Sequence, residues 1–329
     1  MKTQDLDFNY PENLVAKTRA DQSRVMAVDT FGCPTEIRFQ ELLFRFRAGD
    51  LLVLNDTKVL KRRVFSGDIE ILFLNHLQDG SWEVLFPSKK AKIGDEFELP
   101  GKVMMKLVQK GRPQIVRLNA GVDESYFEKY GELPLPPYIQ KARGERHNVH
   151  ADESWYQTAW NQKPGSFAAP TASLHFSNTQ IEDLLKNGVN IEKVTLHVGL
   201  GTFLPVMVED LDQHEMHSEY VEIPHSVRDA IARTRQNGGR VWALGTTVVR
   251  ALESDIQGSG VTNILIQPGY QWKYVDILMT NFHQPKSTLL ALVCAFAGMD
   301  QVKACYQWAI ERNFRLFSYG DLSVWERKS

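Results

Sequence analysis

The sequence lacks several features that define common classes of protein. It has three cysteines among 329 residues, too few for a disulfide framework, so we expect reduced thiols in a cytoplasmic protein. The longest apolar run, residues 289–297, is too short to span a bilayer, and the N-terminus has no apolar signal region, so no membrane partner is expected. There is no P-loop and no G-x-G-x-x-G fingerprint, which disfavours nucleotide hydrolases and dinucleotide-binding enzymes.

A strong net charge is also absent, since the total is −2, and 43% of the residues are hydrophobic. A globally basic nucleic-acid-binding protein is therefore excluded. The charge is uneven, because residues 57–150 contain 16 Lys and Arg against 12 Asp and Glu, a net of +4, which leaves −6 elsewhere. We expect an anionic partner at this middle segment, although a chance fluctuation on a solvated surface explains the asymmetry equally well.

Residues 275–298 have the clearest structural pattern in the chain. Residues 274–282 are typical of a buried strand that ends before Pro285. Ser287 is a good N-cap for a helix over residues 288–297, which is apolar on every face and therefore buried, and Gly298 is a suitable C-terminal stop.

The polar residues of this stretch lie where the strand meets the helix. They are Asn281, His283, Gln284, Lys286, Ser287 and Thr288. Ligands of open α/β sheets bind at such strand ends, and the helix N-terminus and Lys286 favour an anion there. The alternative is an ordinary strand–helix connection with a solvated lysine.

The chain length favours two domains, and the element pattern predicts a mixed-sheet α/β domain with an inserted small all-β barrel. The α/β domain comprises residues 1–63 and 151–329, and the barrel residues 64–150. Barrel strands are predicted at 68–74, 82–86, 96–99, 102–108 and 114–118. Strands of the α/β domain are predicted at 24–29, 51–54, 194–198, 240–245, 262–267 and 274–282, with helices at 39–46, 178–187, 226–237, 248–254 and 288–297. Residues 131–139 are expected to be extended by their prolines, and 141–148 to form a basic loop.

Histidines are concentrated in the second half, with six of nine between His175 and His283. His214 and His217 would share one face of a helix, which suggests a metal site, but the zinc-finger and H-E-x-x-H spacings are absent. Acid–base chemistry by one or two imidazoles fits better, because histidine titrates near neutrality. The alternative for each histidine is a structural hydrogen bond.

Two further stretches are candidates for ligand contact. Residues 165–176 are rich in small side chains, which let a backbone approach a ligand closely. Gly245, Thr246 and Thr247 precede a predicted helix that carries Arg250 one turn later, which is a possible anion or hydroxyl site.

An ordered set of motifs resembles the S-adenosylmethionine:tRNA ribosyltransferase-isomerase family of queuosine biosynthesis. The motifs run nearly end to end, at residues 51–59, 134–139, 156–158, 168–172, 174–176, 195–203, 216–219, 245–247, 280–283, 285–288 and 317–321. The resemblance implies a mixed α/β domain carrying an inserted β-barrel. It also implies transfer and isomerisation of the ribosyl part of S-adenosylmethionine onto 7-aminomethyl-7-deazaguanine in tRNA, with release of adenine and methionine.

The resemblance implies that S-adenosylmethionine is a consumed co-substrate and that neither a cofactor nor a metal is needed. We further expect a cytoplasmic monomer. The chemistry requires a base beside the sulfonium and an acid for the departing adenine; the candidates are His175, His217, Glu219, His283 and Asp321, with the roles of base and acid left open. The substrate-binding candidates are Asn55, Asp56, Thr57, Thr171, Gly245, Thr246, Thr247, Arg250, Asn281, Lys286, Ser287 and Thr288, among which Lys286 and Ser287 would hold the methionine carboxylate or an RNA phosphate.

Transfer RNA would contact the basic residues of the middle segment through its backbone. The candidates are Lys61, Arg62, Arg63, Lys89, Lys90 and Lys92, with Tyr138 as a surface on which a splayed base could stack. The chain departs from the family pattern at Ser173, where glycine is expected, and lacks an arginine before Pro87.

Three other functions remain open from the sequence. A methyltransferase would use the same co-substrate but would need a glycine-rich loop where Asn55, Asp56 and Thr57 stand. A non-catalytic tRNA-binding paralogue is suggested by Ser173 and the missing arginine. A metal hydrolase would use the histidines.

Overall fold

The computed structural model describes residues 1–199, 201 and 206–327. It divides into two compact units, the first formed by Met1–Val59, Pro136–Arg146 and Ser154–Ser329, and the second by Leu60–Leu135 and His147–Glu153. Residues 64–150 were predicted to form the insertion as one continuous segment. Residues 136–146 instead belong to the first unit, so the chain passes twice into the second unit.

Strands are numbered in chain order. In the first unit they are β1 (Arg24–Val28), β2 (Pro34–Arg38), β3 (Leu51–Asn55), β4 (Thr57–Val59), β11 (Lys163–Ser166), β12 (Asn190–Leu196), β13 (Glu219–Ile223), β14 (Val241–Leu244), β15 (Gly258–Thr262), β16 (Ile277–Asn281) and β17 (Leu322–Glu326). In the second unit they are β5 (Arg63–Ser66), β6 (Ile69–His76), β7 (Trp82–Leu85), β8 (Glu96–Leu99), β9 (Val103–Gln109) and β10 (Gln114–Leu118).

Helices are numbered in the same way. They are α1 (Phe39–Leu43), α2 (Glu124–Tyr130), α3 (Pro137–Arg143), α4 (Asp152–Trp155), α5 (Asn178–Lys186), α6 (His225–Gln236), α7 (Thr246–Glu253), α8 (Thr288–Ala297) and α9 (Met299–Glu311).

The first unit is built on a mixed nine-stranded sheet in the order β15-β13-β12-β3-β14-β16-β17-β1-β2. Strands β12, β3, β14 and β16 run parallel, while β17 is antiparallel to β16 and parallel to β1. Every residue of β3, β14 and β16 is buried. These strands are continuous apolar runs because both faces of the sheet are covered, as expected for parallel strands.

Helix α8 is the buried helix predicted from its apolar sequence. Ser287 Oγ accepts a hydrogen bond from the Leu290 amide and caps the helix, as predicted. Gly298 ends it with a φ of 92°, a backbone conformation that side chains disfavour. No single described helix is long and apolar enough to cross a membrane; α8 and α9 together pass that test, but they meet at 110°.

The second unit is a six-stranded antiparallel sheet in the order β5-β6-β7-β10-β9-β8. Its first and last strands, β5 and β8, approach each other, so the sheet is a nearly closed barrel. Alternate residues such as Val64, Phe73, Val84 and Met105 point inward and are fully buried. The predicted small all-β barrel is therefore present.

Three local predictions are wrong. The strand expected at 262–267 lies earlier, at β15. Residues 131–139 were expected to exclude helix, and 141–148 to form a loop, yet α3 spans Pro137–Arg143. Pro137 occupies the first helical position, where its fixed φ fits and its missing N–H is not needed.

Candidate functional site

A pocket with a cavity volume of about 80 Å³ opens in the first unit, where β14 and β16 end side by side. This is the edge of the sheet at which ligands of α/β proteins bind. The residues around it are Tyr138, Tyr156, Ala168, Ala169, Pro170, Thr171, Ala172, Val198, Gly245, Thr246, Thr247, Arg250, Thr280, Asn281, Phe282, His283, Gln284, Ser287, Leu289, Phe317 and Ser318. The wall therefore combines the predicted small-residue stretch with both predicted strand ends.

One side of the pocket is the beginning of α7. Gly245 has a φ of 99° and turns the chain from β14 into the helix. Arg250 lies one turn into the helix, is 4% exposed, and forms an ion pair with the buried Glu219. Glu219 also accepts the Gly199 amide at 2.9 Å. Glu219, a predicted catalytic residue, is thus held behind Arg250 rather than in the pocket wall.

The opposite side carries His283, just beyond β16. Its Nε2 lies 2.9 Å from Thr280 Oγ1, and its backbone N–H donates to the Tyr306 hydroxyl at 3.0 Å. Burial lowers the pKa of His283 to about 3. The imidazole is therefore neutral at physiological pH.

His175 is connected to the pocket through Asn281. The Asn281 Nδ2 amide lies 3.0 Å from His175 Nε2, and Asn281 Oδ1 accepts the Thr171 hydroxyl at 2.9 Å. His175 Nδ1 is 2.5 Å from Ser23 Oγ. Burial, followed by the nearby Arg19 and Arg315 charges, lowers the pKa of His175 to about 3. His175 itself lines a second, more polar cavity of about 530 Å³, which Ser23 also lines.

The predicted triple Asn55, Asp56 and Thr57 does not reach the pocket. Asn55 exchanges hydrogen bonds with the backbone of Leu196, and Asp56 accepts the Thr195 hydroxyl at 2.7 Å. Thr57 Oγ1 lies 2.7 Å from His197 Nδ1. These side chains connect residues 55–57 to residues 195–197, and the substrate contacts predicted for them stay predictions.

Two other predicted residues, Asp321 and Lys286, form their contacts outside the pocket. Asp321 is 1% exposed, and its carboxylate accepts the Arg24 and Arg315 amides at 3.2 and 2.8 Å. Burial raises the pKa of Asp321 above its ordinary value. Lys286 Nζ forms an ion pair with Asp7 at 2.8 Å. Neither residue lines the pocket, and the acid–base and carboxylate-binding roles predicted for them stay predictions.

His217 is exposed and packs against Gly201, in an irregular segment after the helical turn Leu211–Gln213. The prediction that His214 and His217 share a helical face is therefore wrong, and His217 does not line the pocket. Within the motif at residues 195–203, residues 200, 202 and 203 lie outside the described part of the chain. Ser287 lines the pocket and Thr288 does not.

In the barrel unit, the predicted tRNA contacts separate into two groups. Arg63 has a 1% exposed side chain paired with Glu132 at 2.7 Å, and Arg62, 9% exposed, pairs with Glu124. Lys61 pairs with Glu128 and Glu153. Contacts with a phosphate backbone are therefore not available to Arg62 and Arg63, which corrects their predicted role. Lys89, Lys90 and Lys92 are exposed and form no ion pair with any described residue.

Tyr138 belongs to the pocket rather than to an exposed stacking surface. Its hydroxyl lies 2.5 Å from Ser318 Oγ, and burial raises the pKa of Tyr138 to about 12. Ser23 and Tyr306 contact the two histidines and were not predicted. Their partners lie 152 and 23 positions away in the sequence, so no local motif marks them.

Ser173, the departure from the expected glycine, is fully buried beneath the pocket loop, and its Oγ has no hydrogen-bond partner among the described residues. No group of three or more His, Cys, Asp or Glu side chains in residues 1–199, 201 and 206–327 is arranged to hold a metal ion.

A ligand pocket at the ends of neighbouring sheet strands, lined by an arginine, a neutral imidazole and several hydroxyls, defines an α/β enzyme of small-molecule chemistry. The chain belongs to the queuosine biosynthesis protein family, whose match spans residues 3–324.

Similar proteins match over nearly the full length. One from Azoarcus sp. (strain BH72), named S-adenosylmethionine:tRNA ribosyltransferase-isomerase, is 43% identical over 347 residues, covering 99% of this chain and 98% of the relative. A relative of the same name from Desulforamulus reducens is 41% identical over 343 residues, with 98% of each covered. The solved S-adenosylmethionine tRNA ribosyltransferase of Thermotoga maritima is 30% identical, has a TM-score of 0.55, and is matched over 97% of this chain and 99% of that one.

Proposed function

We propose that the protein transfers and isomerises the ribosyl moiety of S-adenosylmethionine onto 7-aminomethyl-7-deazaguanine in tRNA. The products are epoxyqueuosine in tRNA, free adenine and free methionine, so S-adenosylmethionine is a co-substrate and not a cofactor. The observation that carries this proposal is full-length identity of 43% and 41% to relatives named for this activity.

S-adenosylmethionine is assigned to the pocket beside β14 and β16. Four aromatic side chains in the wall, those of Tyr138, Tyr156, Phe282 and Phe317, offer apolar surface to the adenine. The hydroxyls and Arg250 offer hydrogen bonds to the polar parts of the molecule.

His283 is proposed as the proton acceptor for the carbon beside the sulfonium. It is the imidazole of the described pocket wall, and its lowered pKa keeps it neutral in the cell. Thr280, 2.9 Å from Nε2, fixes the orientation of the ring. His175 is proposed as a positioning residue, because it acts on the pocket through Asn281 and Thr171.

Transfer RNA is assigned to the barrel unit through the exposed Lys89, Lys90 and Lys92. Exposed lysines supply affinity for phosphates without reading sequence. We also propose that the enzyme works as a monomer in the cytoplasm; the three free cysteines support a reducing compartment.

The test is incubation with S-adenosylmethionine and tRNA that carries the 7-aminomethyl base, followed by mass analysis of nucleosides and quantification of free adenine. Epoxyqueuosine and adenine are expected in equal amounts. S-adenosylhomocysteine in place of adenine would indicate a methyltransferase, and tRNA binding without either product would indicate a non-catalytic relative.

A further inference from the structure

Arg250 is a buried cation whose hydrogen-bonding capacity is only partly used. Its Nη1 pairs with Glu219, whereas Nε and Nη2 are buried and have no acceptor among the described residues. Arg250 lines the pocket. Buried donors without a partner destabilise a fold, so such groups at a pocket wall indicate a missing acceptor.

Thr247, on the same side of the pocket, also has a buried polar group without a partner. Its Oγ1 is buried and has no partner among the described residues. The backbone amides of Thr246 and Thr247 are the first two of α7 and form no hydrogen bond with any part of the chain that is described. Five donor groups without a described partner therefore belong to three residues that line the pocket, at the positive end of an eight-residue helix.

A carboxylate is the group that this arrangement fits. It has only acceptors, it is planar, and it can take two parallel hydrogen bonds from a guanidinium. The Glu219 carboxylate already offsets the guanidinium charge from behind and holds Arg250 in place. The incoming anion is thus bound by oriented N–H groups and the helix N-terminus.

The start of α8 is a poorer position for the same group. The Lys286 charge is compensated by Asp7 at 2.8 Å, and Ser287 Oγ is engaged with the Gln284 carbonyl and the Leu290 amide. The side chains that would recognise an anion there already have partners.

We propose that Arg250, Thr247 and the first amides of α7 bind the α-carboxylate of the methionine half of S-adenosylmethionine. This inference rests on the proposed function and adds the orientation of the co-substrate. The methionine end lies at α7, so the reacting ribose lies between α7 and His283.

The experiment compares S-adenosylmethionine with its decarboxylated analogue, which lacks only the carboxylate. Binding of each without tRNA is measured by calorimetry to the wild type, Thr247→Val, and the double variant Glu219→Gln/Arg250→Gln, which keeps an uncharged pair. The wild type should prefer S-adenosylmethionine by roughly 10- to 100-fold. The preference should fall several-fold in Thr247→Val and nearly vanish in the double variant.

A wild type without preference, or a preference that survives in both variants, would overturn the inference. Lys286→Met is the matched comparison at α8. The preference for S-adenosylmethionine over its analogue is expected to be unchanged in this variant. Loss of the preference would show that the carboxylate binds at α8 instead. If the double variant does not fold, as judged by circular dichroism, Thr247→Val decides the outcome.

Failure of the proposed function gives a different result. Carboxylate-dependent binding without epoxyqueuosine formation would refute the activity and leave the subsite standing. Normal product formation with a preference that is insensitive to the variants would refute the subsite alone.

Discussion

Asn281 presents its side-chain nitrogen to Nε2 of His175 at 3.0 Å. Because that nitrogen donates, Nε2 accepts, and the ring proton lies on Nδ1, where Ser23 Oγ receives it at 2.5 Å. Asn281 in turn accepts the Thr171 hydroxyl. One amide therefore sets the tautomer of a neutral imidazole and the orientation of a hydroxyl in the pocket wall.

Asn281→Asp should place a carboxylate beside His175 and so favour the protonated, charged form of the ring. A carboxylate beside Nε2 favours the protonated ring, so the pKa of His175 rises, and Thr171 loses its fixed position. We expect turnover to fall about 100-fold at neutral pH, as for other misplaced groups, with a new pH dependence. Adenine release between pH 5 and 9 measures both effects, and a profile identical to that of the wild type would contradict the assignment.

His175→Ala and His283→Ala should each lose turnover while remaining folded. Loss of the proposed base at His283 should cost at least about 100-fold. His225→Ala is the matched control, because His225 is exposed at the start of α6. Single-turnover kinetics with circular dichroism provide the measurement, and an undiminished rate would remove that histidine from the site.

The same two histidines should make the protein acid-sensitive. Their pKa is about 3 in the folded state and 6.5 in the reference state, so between these values the unfolded chain binds more protons. Stability is therefore lost as the pH falls below 6.5. Each histidine contributes up to about 1.4 kcal/mol per pH unit. Urea unfolding at several pH values should give a shallower dependence for His283→Ala than for His225→Ala, and equal slopes would refute the burial effect.

Lys89, Lys90 and Lys92 should control the salt dependence of tRNA binding. Replacing all three by alanine removes up to three phosphate contacts and should lower the slope of log affinity against log salt by about 2. Lys303→Ala, an exposed lysine on α9, should leave the slope unchanged. Filter binding from low to high salt checks this.

In contrast, Arg63→Ala should lower the free energy of unfolding of the barrel unit by about 3–5 kcal/mol, because it breaks a buried ion pair.

Ser173→Ala should stabilise the protein by about 1 kcal/mol, since it removes a buried hydroxyl that has no partner. Ser166→Ala is the opposite control. Ser166 Oγ donates to the Ala168 carbonyl at 2.7 Å and accepts the Val198 amide at 2.9 Å, so its loss should cost a similar amount. Thermal unfolding distinguishes the two, and a lower melting temperature for Ser173→Ala would show that the hydroxyl is bonded.

Sequence patterns were sufficient to locate an element whose position depends only on its own residues. Continuous apolar runs located β3, β14, β16 and α8, and cap chemistry located Ser287 and Gly298. They failed for α3, because proline was taken as a helix breaker although Pro137 begins the helix.

Among the predicted site residues, some line the pocket and others do not. Gly245, Asn281 and His283 stand at strand ends that meet at one edge of the sheet, Arg250 lies one turn into α7, and all four line the pocket. Asn55 also ends a strand, but a neighbouring backbone uses its amide. Strand position alone cannot distinguish these cases, because the difference depends on contacts between distant residues.

The place of β17 has a consequence for how the protein is made. It lies between β16 and β1, so residues 322–326 pair with two strands that come earlier in the chain. Until residues 322–326 are synthesised and in place, β1 and β16 each keep an open edge, and open edges recruit other chains. A nascent chain that stops before β17 is therefore an aggregation hazard.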